Sequence, residues 1–160
     1  DAASKIENII LSKSNIFNNF KKKKFIVFFE GWEKRVSISV EACGRSRLNG
    51  QVSIFYTNTK FNTKTKSCTK DNINKLNKIT FGESEETILH EILHTLGAPF
   101  KCGKNIDPDV SLHVNDNKGD IMNKVSGSLY LDFNNDDYYK HNISDCNDLY
   151  MSKFLTNLNN

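Results

Sequence analysis

The chain has 160 residues, of which 38% are hydrophobic and 26% charged, and a formal net charge of +3. That suits one soluble domain with a buried core, residues 1–160, and leaves too little for a second. No apolar run approaches the roughly 18 residues that a membrane span needs. With so small a charge, the one dense basic run, Lys21, Lys22, Lys23 and Lys24, reads as a solvated turn rather than a nucleic-acid or anionic-surface patch.

Between residues 4 and 20, Ile6, Ile9, Ile10, Ile16, Phe17 and Phe20 recur mostly three or four apart, which predicts an amphipathic helix packed on the core. Phe25, Ile26, Val27, Phe28 and Phe29 are β-branched and aromatic and stop at Gly31, the pattern of a buried strand. Residues 36–40 and 51–57 alternate as half-buried strands do, so a small sheet is expected, with Asn49 and Gly50 as a turn ahead of the last strand. Residues 58–77 are polar and read as a long surface connection. Residues 84–96 carry the clearest helix signal: Ser84 suits the N-cap, Glu85 and Glu86 favour the positive end of the helix dipole, and Gly97 suits the left-handed residue that ends a helix. Residues 98–148, rich in Gly, Asn and Asp, read as loops, with a last helical turn or two near 149–158.

The cysteines Cys43, Cys68, Cys102 and Cys146 lack the close spacing of zinc knuckles and are read as two disulfides formed in an oxidising compartment. Pairing Cys43 with Cys68 and Cys102 with Cys146 closes one half of the chain each. The start at Asp1-Ala2-Ala3, without an initiator methionine, suits a mature form after removal of a leader. A secreted or periplasmic setting is expected.

The chemistry is concentrated in His90-Glu91-Ile92-Leu93-His94, an H-E-x-x-H pattern on the clearest helix. Residues four apart on a helix project from nearly the same face, about 6 Å apart, so two imidazoles can converge on one Zn²⁺. Glu91 lies beside that face, placed to take a proton from a water in the open coordination position and to return it to the leaving amine. Zinc lowers the pKa of that water to near 7 and polarises the scissile carbonyl, so no serine or cysteine nucleophile is needed. Two histidines and a glutamate adjoining the apolar residues Ile88, Leu89, Ile92, Leu93 and Leu96 would be costly to bury without a partner, and a metal is the economical one.

The run from His90 through Thr95-Leu96-Gly97, with Asp120-Ile121-Met122 downstream, resembles the metzincin-like HExxH zinc peptidases. The stretch through Ala98-Pro99, Cys102, His113-Val114, Asp116, Leu131-Asp132 and Asp136-Asp137-Tyr138-Tyr139 is similar to small secreted bacterial proteins of that type. The resemblance spans roughly residues 25–155 and is concentrated after Glu86. It implies a zincin-like fold, a sharp bend at Gly97 that returns a third ligand to the metal, and a methionine turn at Met122 beneath the histidines.

The longer signature H-E-x-x-H-x-x-G-x-x-H would place that third histidine at position 100, which is Phe100. A thermolysin-like glutamate ligand is excluded, because no glutamate follows Glu91. The candidates are then His113, Asp107, Asp109, Asp116, Asp120 and His141. His113 is favoured, since imidazole suits zinc and it lies between the glycine and Met122. Asp116 or Asp120 is read as an alternative ligand or as a carboxylate orienting a ligating imidazole. His141, Tyr138 and Tyr139, with Tyr130, are candidate donors to the oxyanion of the transition state. The acidic run from Asp132 to Asp137 is weighed as a Ca²⁺ loop against a solvated turn, and lacks the full EF-hand spacing.

The expected fold is α+β: a zincin-like domain with an N-terminal helix, a small twisted sheet, the zinc helix and a loop-rich, disulfide-tied C-terminal part. The expected function is a monomeric zinc endopeptidase acting on protein or peptide, with no nucleic-acid partner. A substrate strand is expected to add alongside residues 51–56. The rivals are a non-catalytic zinc-containing binding module on the same scaffold and a zinc hydrolase of cell-wall peptide amides.

Overall fold

Strand β3 (Val52–Tyr56) is buried along its whole length, because it has a strand on each side and a helix on each face. The computed structural model describes residues 2–13, 23–32, 42–61, 64–69, 83–110, 112–124 and 130–156. β1 (Phe25–Phe29) pairs with β3 in parallel, from Phe25 opposite Val52 to Phe29 opposite Tyr56. β2 (Gly44–Ser46) pairs antiparallel, with Gly44 opposite Phe55 and Ser46 opposite Ser53, giving the order β1-β3-β2. Alternate residues of a strand point to opposite faces. Val52, Ile54 and Tyr56 accordingly pack with Ile6 and Ile10 of helix α1 (Ala2–Ser12) and with Phe25 and Val27. Ser53, on the other face, donates to the Glu91 carbonyl of helix α2 (Glu83–Leu96) at 3.1 Å.

Two burial expectations are reversed. The strand expected to be half-buried is the fully buried one, because the polar Ser53 has its hydroxyl satisfied by α2. The run expected to be buried is the exposed one: Phe28 is 64% and Phe29 47% accessible, since among the described residues β1 pairs only with β3. Helix α1 covers the described part of the expected helix, Ala2–Ser12, with a turn at Lys13, and Ile9 faces outward. Part of the predicted helix (14–20), the predicted strand 36–40 and residues 70–77 lie outside the described residues.

Within the polar stretch read as a surface connection, β4 (Asn58–Phe61) and β5 (Lys64–Ser67) instead form an antiparallel hairpin. Its base is tied to the sheet by the Cys43–Cys68 disulfide and by the Cys68 amide donating to the Thr57 carbonyl at 2.9 Å. Backbone pairing and a covalent tie therefore make this hairpin without an apolar pattern. Lys24 also departs from its expected solvated turn. Its Nζ donates to the carbonyls of Gly50 (2.7 Å) and Thr95 (2.6 Å), placing a cation at the negative C-terminal end of α2.

α2 begins at Glu83, one residue before the expected cap, so Ser84 is already inside the first turn, and its hydroxyl donates to Glu85 Oε2 at 3.0 Å. Its end follows the expectation. Gly97 has φ +101°, its amide donates to the His94 carbonyl, and the Ala98 amide donates to the Leu93 carbonyl, both at 3.0 Å. That is the Schellman arrangement, with Leu93 and Ala98 both in the core below.

The second core gathers Leu93, Ala98, Val114, Ile121, Met122, Tyr138 and Leu149 beneath α2. The C-terminal loops are held by isolated bridges from Val114 to Ile106 and Asn123, by a bridge from Asp120 to Tyr130, and by the Cys102–Cys146 disulfide. Both disulfide pairings are those expected. A 3₁₀ turn (Leu149–Met151), started by Asp148 accepting from the Tyr150 amide, leads into α3 (Lys153–Thr156). An apolar cavity of about 380 Å³ lies between α2 and this end, with Leu93, Leu96, Leu149 and Leu155 in its wall. The fold is thus mixed α+β with two disulfides, and among the described residues no helix is long and apolar enough to cross a membrane.

Candidate metal centre

Of the four histidines in the chain, three converge: His90, His94 and His113 each offer a ring nitrogen, and these atoms lie within 4.8 Å of one another. The His90 and His94 rings are 4.6 Å apart, as the i, i+4 spacing on α2 requires. His113 completes the triangle, 5.2 Å from His90 and 5.3 Å from His94. It is brought there by backbone rather than by helix geometry. The His113 carbonyl accepts from the Asp107 amide at 2.8 Å, and the next residue, Val114, donates to the Met122 carbonyl at 3.0 Å.

Two of the rings are oriented from behind. His90 Nδ1 meets the Ile121 carbonyl at 2.6 Å and His94 Nδ1 meets the Ala98 carbonyl at 2.9 Å. A carbonyl accepts only, so each Nδ1 carries its proton and each Nε2 is left as the lone-pair donor. Metal-ligating histidines are commonly fixed in this way. Burial holds His90 below the ordinary imidazole value and, with the neighbouring His90 charge, pushes His94 down to about 3. Both are therefore neutral near pH 7, the form a metal requires. Three imidazoles fit zinc as a donor set.

The Gly97 bend has a local use in this chain. By ending α2 and reversing the backbone, it carries the Ala98 carbonyl back to His94. Phe100, at the position of the third histidine in the longer signature, packs against the core instead.

Glu91 is approached from the sheet. The Ser46 hydroxyl donates to Glu91 Oε2, and the glycine two residues earlier in β2 lies against the same side chain. The sequence reading missed these contacts, since three residues of strand are too few to show a period.

The other predicted residues fall elsewhere. Met122 is fully buried in a tight turn, in which the Asn123 amide donates to the Asp120 carbonyl and the preceding carbonyl, Ile121, holds His90. Asp120 is fully buried below that turn and accepts from the amides of Met122 and Phe133, both at 2.7 Å, and from the Tyr138 hydroxyl at 2.8 Å. Burial nevertheless pushes its carboxyl up to about 6. Asp120 thus braces the turn rather than meeting an imidazole, and the Tyr138 hydroxyl, fully buried, is committed to it. His141 is likewise spent on its own loop: Nε2 meets the Asn147 carbonyl at 2.8 Å, and Nδ1 accepts from the Ile143 amide at 3.2 Å. These bonds answer the oxyanion reading of Tyr138 and His141 with structural roles. Tyr139 packs edge-on to Tyr150, 5.9 Å between ring centres.

Asp107 accepts from the amides of Asp109 and Val110 and pairs with Lys124 at 3.0 Å, fixing the loop that bonds His113. Asp116 stands with Asp136 and Asp137 in a separate acidic group, where burial raises both Asp116 and Asp137 above the usual carboxylate range. In the run weighed as a calcium loop, Asp132 turns inward and accepts from the amides of Tyr138 (2.7 Å) and Tyr139 (2.5 Å). Asp137 accepts from the Asn105 amide.

No protein family, curated protein or solved structure matches this chain.

Proposed function

We propose that the chain is a zinc-dependent endopeptidase with a zincin-like active centre, in which His90, His94 and His113 hold the metal and Glu91 is the general base. The observation that carries this reading is the three-histidine group on and beside the helix that bears Glu91. Among the described residues the group contains no fourth His, Cys, Asp or Glu. A structural zinc site is normally closed by four protein ligands, whereas a catalytic one keeps a position open. That difference favours a peptidase over a non-catalytic binding module.

Zinc, when bound there, would supply Lewis acidity toward a water and a scissile carbonyl. The neutral Nε2 atoms of His90 and His94 are the donors that the Ile121 and Ala98 carbonyls leave for it. Glu91 takes the proton from the attacking water and hands it to the leaving amine, so atoms and charge balance without a covalent enzyme intermediate. All four cysteines are in disulfides, which leaves none as a nucleophile.

The substrate strand is reassigned. β3 is paired on both sides, so it has no edge to offer. Among the described residues β2 pairs only with β3, and its outer edge, next to the strand's contact with Glu91, is where an extended peptide adds. The two disulfides fit work in an oxidising, extracellular or periplasmic setting.

The test compares an unfolded protein, short peptides and cell-wall fragments as substrates, before and after chelation and with zinc restored. Cleavage of the unfolded protein that chelation stops and zinc restores supports the endopeptidase. Turnover of cell-wall fragments alone moves the assignment to an amide hydrolase of that class, and zinc binding with no turnover leaves the binding module as the better reading.

A further inference from the structure

We infer that β2 is a positioning strand for the general base: Ser46 holds the Glu91 carboxylate in one orientation, and Gly44 is required to make room for it. The inference rests on the reading of Glu91 as the general base and adds two residues to that site.

The geometry comes from the register of the sheet. Ser46 and Ser53 are directly opposite each other on β2 and β3 and point to the α2 face. The Ser46 hydroxyl donates to Glu91 Oε2, while the Ser53 hydroxyl donates to the Glu91 backbone carbonyl at 3.1 Å. One cross-strand pair therefore grips a single helical residue at its side chain and at its main chain. Gly44, two residues before Ser46 on the same face, closes the other side. A Cβ built on Gly44 would lie 2.5 Å from Glu91 Cγ, 2.7 Å from Oε1 and 2.8 Å from Thr87 Cγ2, closer than real carbon contacts allow. The strand is anchored one residue earlier by the Cys43–Cys68 disulfide.

A glutamate side chain has three rotatable bonds, and a base that swings away from its water is no longer in reach of the proton. A misplacement of about 1 Å can cost on the order of 100-fold in rate. Ser46 is thus a positioning residue, acting through Glu91.

The test uses the zinc-loaded full chain and compares wild type, Ser46→Ala, Ser46→Thr and Glu91→Ala. Ser46→Ala is expected to lower kcat about tenfold or more, with KM, zinc affinity and melting temperature unchanged. Ser46→Thr, which keeps the hydroxyl, restores most of the rate. A crystal structure of Ser46→Ala, expected to show Glu91 turned from its wild-type rotamer, reads the positioning without reference to turnover. If Ser46→Ala keeps kcat within twofold, or if its Glu91 stays in place, the positioning role is overturned while the peptidase stands. If Glu91→Ala cleaves as fast as wild type, the general-base reading itself fails and the positioning role falls with it.

Discussion

His90 Nδ1 lies 2.6 Å from the carbonyl oxygen of Ile121, so the turn that buries Met122 also orients the first imidazole of the centre. Stability and metal affinity are therefore coupled at this turn. Met122→Ala should cost about 2–5 kcal/mol, the usual range for emptying such a site. It should also weaken zinc binding by loosening the Ile121 carbonyl. Met122→Leu, close in volume, should cost less than about 1.5 kcal/mol and keep the affinity. Urea unfolding and a zinc titration on both variants check this.

Asp120→Asn tests the brace under the turn. The carboxylate accepts from two amides and the Tyr138 hydroxyl, and an amide NH₂ in place of one oxygen turns an acceptor into a donor facing a donor. A buried unmet donor costs about 1–3 kcal/mol. Denaturant melts should show that loss.

The pH dependence of the metal-free protein follows from the buried imidazoles. His94 has its folded value pushed from 6.5 down to about 3, first by burial. Between those values the unfolded chain binds a proton that the folded chain refuses, so stability rises with pH across the window and is lost as pH falls from about 6.5. The slope is up to about 1.4 kcal/mol per pH unit. Asp120 acts in the opposite sense: its raised folded value means that stability falls as pH rises from about 4 to 6. Melts of wild type and His94→Gln over pH 4–7 separate the two, because the Asp120 contribution is common to both and the difference isolates His94. The wild type should lose more stability on acidification than His94→Gln.

Removing the Cys102–Cys146 bridge, which spans 44 residues, should cost about 4 kcal/mol by the loop-entropy argument. The paired Cys102→Ser, Cys146→Ser variant checks it by denaturant unfolding. Its zinc affinity should fall as well, since the loop carrying His113 lies inside the bridge.

α2 was legible because independent signals agree on it: Ser84 near the start, the acidic Glu85 and Glu86 in the first turn, and Gly97 at the stop. The disulfide pairing was legible because one bridge per half of the chain matched the fold. His113 stood out by chemistry, as an imidazole placed between Gly97 and Met122, and the structure brings it to the other two. The burial of the strands was misread for a specific reason. Ser53 looks like a solvent position in the sequence, yet α2 supplies the acceptor that lets it be buried, while Phe28 and Phe29 look like core yet lie on a strand that, among the described residues, has one sheet neighbour. Tyr138 and His141 illustrate a similar limit. A sequence shows which side chains can donate a proton, but not which are already spent on a carboxylate or a backbone carbonyl.

The most direct test of the centre is the rate of peptide cleavage by wild type and Glu91→Ala at equal, measured zinc occupancy. The zinc-peptidase reading predicts one zinc per chain in both proteins and cleavage by wild type alone. Absence of zinc from wild type, or equal cleavage by the two proteins at equal occupancy, would contradict it.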